Sequence, residues 1–174
     1  MANGLLSGLR IPQRRVFVSY HHGNDRGYYD SFSQFFSASY DVIQDNSVDR
    51  NIDSTNTDYI IRNIRENYIT GTSCTIVLCG SQTPWRKFVD WEIKATLDKS
   101  HGLIGINLPS NPNQQGKHLV PDRLHDNIAS GYALWIQWAD LNAGPQYLVS
   151  KIEEANAKSS YLISNTRALR SRNG

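Results

Sequence analysis

The sequence has only two cysteines, Cys74 and Cys79. Both fall inside one apolar run, so no disulfide framework is expected and they read as reduced core residues. No stretch approaches the ~20 apolar residues of a membrane-spanning helix. The first fifteen residues lack the basic-then-apolar order of a secretion signal. A soluble, cytoplasmic protein with no membrane partner is therefore expected. Excess charge of one sign is missing too: 18 Lys+Arg face 16 Asp+Glu, a net +2. That balance argues against a dedicated nucleic-acid binder. The chain has no GxxxxGK[ST] loop, no GxGxxG, no HExxH and no paired CxxC. Its histidines (21, 22, 101, 118 and 125) show no metal-ligand spacing, and no GxSxG elbow supports a serine nucleophile. Neither a metal nor a resident cofactor is expected, and metal-free chemistry centred on a carboxylate is what remains.

The 174 residues suit one self-sufficient domain. Residues 1–13 read as a flexible N-terminal segment, 14–160 as the domain, and 161–174 as a C-terminal tail. Residues 166–174, with Arg167, Arg170 and Arg172, read as a solvated end. In between, short apolar runs alternate with amphipathic stretches. Val16-Phe17-Val18 forms a first strand, and residues 19–26 a polar turn. Aromatics at 28, 29, 32, 35, 36 and 40 follow at near-helical spacing. Residues 41–45 form a second strand, and 58–68 a helix with Thr57 as its N-cap. Cys74–Cys79 (CTIVLC) is apolar on both faces, as in a parallel sheet covered by helices. Pro84 suits the first turn of a helix running to about residue 99. Residues 103–108 and 133–138 supply two further strands. Residues 109–122 form a surface excursion, and 146–157 a closing helix. The expected fold is a flavodoxin-like α/β sandwich with five mainly parallel strands in the order 2-1-3-4-5. Ligands would then bind beyond the carboxyl ends of the central strands. Those ends carry Ser19, Tyr20, His21, His22, Asp45, Gly80, Ser81 and Gln82. Adjacent residues of an extended chain face opposite ways, so at most one of His21 and His22 faces a site.

On a helical projection Glu92 is the one charged residue in the middle of an apolar stripe. Trp85, Phe88, Val89, Ala95 and Thr96 lie within about 60° of it. Arg86, Lys87, Asp90, Lys94 and Asp98 fall on the other side. An unpaired carboxylate there would cost several kcal/mol. Two readings stay open from periodicity: a structural ion pair or helix-edge residue, and a carboxylate facing the cleft.

RRVFVSYHHGND, with Ser19-Tyr20 closing the first strand and Asp25 following, resembles the opening box of Toll/interleukin-1 receptor (TIR) domains. CTIVLCGSQT followed by FVDWEI resembles their third strand and next helix, where the family carries its glutamate. The resemblance spans roughly residues 14–157 and points to the bacterial TIR-like branch that includes the Thoeris anti-phage TIR. Many members have Trp four residues before the glutamate, whereas this chain has Phe88 there and Trp91 beside Glu92. The loop at 46–56 resembles its family counterpart only in position.

The resemblance implies cleavage of NAD, as substrate, at the nicotinamide–ribose bond, with Glu92 as the catalytic residue. Ser19, Tyr20, His21, Asp45, Ser81, Trp85 and Phe88 would contact the substrate. It implies either ADP-ribose or a cyclic ADP-ribose-type signal reaching an effector protein, and self-association through TIR–TIR contacts. The alternative is a non-catalytic TIR module that acts by assembly. A phosphoacceptor receiver domain shares the topology, but it needs acidic residues where this chain has Ser19-Tyr20-His21 and Gly80.

Overall fold

The computed structural model describes residues 15–38, 41–44, 55–115 and 117–174, with only the backbone at 41–44 and 113–114. It is a mixed α/β fold. Strands β1 (Arg15–Ser19), β2 (Asp41–Gln44), β3 (Cys74–Cys79), β4 (Gly102–Asn107) and β7 (Leu134–Gln137) form one sheet in the order β2-β1-β3-β4-β7. All its neighbouring pairs are parallel. A parallel sheet needs cover on both faces. Helices α1 (His22–Phe36) and α5 (Pro145–Asn156) cover one face. Helices α2 (Thr57–Asn63), α3 (Lys87–Asp98) and α4 (Asp122–Ala129) cover the other.

Side-chain alternation assigns the faces. Val16, Val18 and Tyr20 pack with Tyr29, Phe32 and Phe36 of α1. Phe17, one residue out of phase, packs with Trp91 and Ala95 of α3. Ser19 shares the phase of Phe17 and therefore points at α3. In β3, Cys74, Ile76 and Leu78 face α1 and α5, whereas Val77 and Cys79 face α3 and α4.

Several elements depart from the sequence expectation. The turn expected over 19–26 is short, because α1 already begins at His22. Asn56, not Thr57, caps α2, accepting a hydrogen bond from the Tyr59 N–H at 3.1 Å. That helix ends in a π-helical turn, Ile64–Ile69, with Ile64 and Ile69 buried. Pro84 lies in a separate 3-10 turn, Thr83–Trp85, and α3 starts only after Arg86. The excursion contains a two-stranded antiparallel hairpin, β5 (Asn113–Gln114) and β6 (Lys117–His118), and leads into α4. Periodicity gave no warning of α4.

The C-terminal segment is docked as a strap, although residues 166–168 and 171–174 remain exposed as expected. Arg123 of α4 has no exposed surface. It donates to Asp90 at 2.8 Å, to Asn165 Oδ1 at 3.0 Å and to the Arg167 carbonyl at 2.9 Å. Trp91 Nε1–H donates to the Arg170 carbonyl at 2.9 Å, and the Arg170 N–H to Asp90 at 2.9 Å. Asn173 Oδ1 accepts from the Lys87 N–H at 2.9 Å at the start of α3. Asp90, expected among the charged residues on the outer side of α3, is consequently buried beneath the strap. Residues 1–13 lie outside the described residues.

Candidate active site

Two loops part company at the carboxyl ends of β1 and β3: one leads to α1, the other to α3 on the opposite face. The site lies beside this divergence, where open α/β sheets hold their ligands. Glu92 is 2% exposed, and the Ser19 hydroxyl donates to its Oε2. This contact follows from the two periodicities. Ser19 points to the α3 face of the sheet, and Glu92 lies on the stripe of α3 that meets it. One turn further along, Thr96 Oγ1 donates to the Glu92 carbonyl at 2.8 Å and pairs with Thr75 Oγ1 at 2.7 Å. Glu92 and Thr96 thus form a short polar seam in an otherwise apolar interface.

Glu92, Tyr20, His21, His22, Arg86, Phe88 and Val89 line one small cavity of about 20 Å³, room for one water-sized atom. Tyr20 stacks on Tyr29, with centroids 4.5 Å apart and planes within 8°, and its ring lies 4.3 Å from that of His22. Phe88 packs against Trp91 at 5.1 Å. Burial holds His21 below the usual histidine range, helped by the charges of Arg86 and His22. Its Nδ1 is buried without a hydrogen-bond partner, as is Arg86 Nε.

The structure thus brings together Glu92, Ser19, Tyr20, His21 and Phe88. His22 lines the cavity beside His21, contrary to the expectation that at most one of the two would, because the helix already begins at His22. Trp85 lies elsewhere: it is 39% exposed and borders an outer groove with Lys117, His118 and His125. The helical projection had placed it beside Glu92, but Trp85 precedes the helix. Ser81 is half-buried in the turn after β3 and does not line the cavity. Asp45 and nearly all of the loop at 46–56 lie outside the described residues.

Sequence reasoning missed two residues. The projection put Arg86 on the far side of α3, yet its backbone is extended (φ −95°, ψ 118°), so a helical angle does not apply to it. Asp25, quoted only as part of a motif, is a second buried carboxylate. It accepts from Thr83 Oγ1 at 3.3 Å and from Ser110 Oγ at 3.4 Å. Gly80 makes room for it: a Cβ there would lie 2.4 Å from Asp25 Oδ1. Burial raises the Asp25 carboxyl above its usual range, and the two hydroxyls pull it back.

Among the described residues no group of three or more His, Cys, Asp or Glu side chains is placed to hold a metal ion. No described helix is long and apolar enough to cross a membrane. Cys74 and Cys79 are buried and free. Burial pushes both thiols far above the usual range, which disqualifies them as nucleophiles.

No curated protein matches the chain. A family model does, over residues 17–113, a span that contains the end of β1 and the whole of β3 and α3. Its description is Thoeris protein ThsB, TIR-like domain. With more than half its length in that match, the chain belongs to the Thoeris ThsB TIR-like family.

Proposed function

We propose that this flavodoxin-like domain cleaves NAD at the nicotinamide–ribose bond and passes the ADP-ribosyl group into a cyclic ADP-ribose-type signal for anti-phage defence. The observation that carries this reading is the Glu92 carboxylate, buried at a strand-end cavity where it accepts a hydrogen bond from the Ser19 hydroxyl. Membership of a Thoeris family supports the defence role.

The C1′–N bond breaks heterolytically, and its electron pair neutralises the pyridinium nitrogen. Nicotinamide therefore leaves without acid catalysis. Positive charge builds on the ribose in an oxocarbenium-like transition state. In this mechanism ionised Glu92 stabilises that charge, and the exclusion of water strengthens the effect. The Ser19 hydroxyl fixes the carboxylate's orientation. Attack at C1′ by water gives ADP-ribose and a proton, whereas attack by an atom of the same ADP-ribosyl group gives a cyclic product.

Glu92→Gln keeps an acceptor for Ser19 and removes the charge. It should leave the far-UV circular dichroism unchanged and lower nicotinamide release by roughly 10²-fold or more, read by chromatography. Equal release from the two proteins would sink the enzymatic reading. One observation favours the second reading, a non-catalytic assembly module: the cavity is too small to admit a ribose as it stands. That module would turn over no NAD at any concentration.

A further inference from the structure

The cavity beside Glu92 holds an arginine that its surroundings leave unused. Arg123, Arg167 and Arg170 each have a carboxylate within 4.0 Å. Arg86 has no ion pair among the described residues, and its Nε–H is buried without an acceptor. A buried charged donor left unsatisfied is costly. The backbone at Arg86 is nevertheless well fixed. The Arg86 N–H donates to the Thr83 carbonyl at 3.2 Å, and its own carbonyl accepts from the Asp90 N–H at 3.3 Å. His21, which lines the same cavity, carries a second orphan nitrogen, Nδ1. Gly23 packs closely on that ring, since a Cβ there would lie 3.3 Å from His21 Cε1.

We infer that Arg86, with His21, is the phosphate-recognition edge of the Glu92 site and makes it select a pyridinium nucleotide over the corresponding nucleoside. This rests on the function proposed above. One cavity presents a carboxylate for a developing cation and a guanidinium for an anion. The matching ligand carries both charges a short distance apart. A pyridinium nucleotide does so, with its anomeric carbon and its 5′-phosphate at opposite ends of one ribose. The guanidinium fork suits phosphoryl oxygens. In a state open enough to admit a ribose, the Arg86 guanidinium and the His21 ring, which border this cavity, meet the phosphoryl oxygens while Glu92 faces the anomeric carbon.

The experiment compares kcat/KM for NAD and for nicotinamide riboside in the full chain, in Arg86→Gln, in Arg86→Lys, and in the surface control Arg26→Gln. The preference for NAD should fall by roughly 10–100-fold in Arg86→Gln, the value of a lost charge-assisted hydrogen bond. Arg86→Lys should retain part of it, and Arg26→Gln all of it. A wild-type preference in Arg86→Gln would overturn the inference. A second arm needs no turnover: equilibrium binding of ADP-ribose to the wild type and to Arg86→Gln, each checked for folding by circular dichroism. Weakened binding by the variant supports the anion edge even if the wild type releases no nicotinamide, in which case the enzymatic reading alone fails. Absent or equal binding by the two overturns the anion edge.

Discussion

Asp25 and Glu92 are both buried carboxylates near the strand ends, and their partners set them apart. Glu92 accepts from the Ser19 hydroxyl at the edge of a cavity. Asp25 ties the start of α1 to the turn after β3 through Thr83 and to the segment after β4 through Ser110, with Gly80 pressed against it. Asp25 therefore reads as a brace across three elements. Its folded-state carboxyl is raised above the ordinary 3.8, chiefly by desolvation. A raised value means that the folded chain binds this proton more tightly than the unfolded chain does. Ionised Asp25 thus detracts from stability above its folded-state value, and the effect vanishes as the pH falls below 3.8. Asp25→Asn should resist urea better than the wild type at pH 7, and the gap should close on acidification. A gap independent of pH would show that Asp25 ionisation is not what costs the fold stability.

At the scale of elements, the C-terminal strap and α3 depend on each other through Arg123. Its guanidinium binds Asp90 of α3, Asn165, and the carbonyls of Arg167 and Ala168, and Arg167 in turn forks onto Asp126 of α4. Removing one member of a buried ion pair leaves the other uncompensated, at about 3–5 kcal/mol. Arg123→Leu should lose that much in urea unfolding and speed hydrogen exchange in α3 and in residues 164–174. Adding Asp90→Leu should recover part of the loss, since the stranded charge goes with it. A single variant as stable as the wild type would mean that the strap holds without its hub. This mutual dependence was not legible in the sequence. Short apolar runs gave β1, β3 and β4, because burial on both faces leaves no polar alternation to confuse the reading. The strap has no periodicity, and its polar, arginine-rich composition is what a solvated end also shows. Asp90 misled for the same reason: its partner lies 33 residues away. Glu92 was legible because local spacing alone sets its face on α3, whereas Arg86 escaped because it lies just before the helix.

Across the whole molecule, the parallel sheet gathers the segments after β1, β3 and β4 at one end and turns Glu92 inward beneath them. The price is closure: about 20 Å³ beside the carboxylate holds a water-sized atom and excludes a ribose. On the proposed function, turnover requires an open state in which Tyr20 or Phe88 moves aside, and a ligand or neighbour favours that state only by binding it better than the closed one. The self-association that the family resemblance implies would be one source of that preference. Nicotinamide release per molecule should then rise with protein concentration and level off once association is complete. Hydrogen exchange over residues 19–23 and 86–89 should quicken over the same range. A rate per molecule that stays constant and non-zero at every concentration would place the opening within the isolated chain and make assembly irrelevant to catalysis.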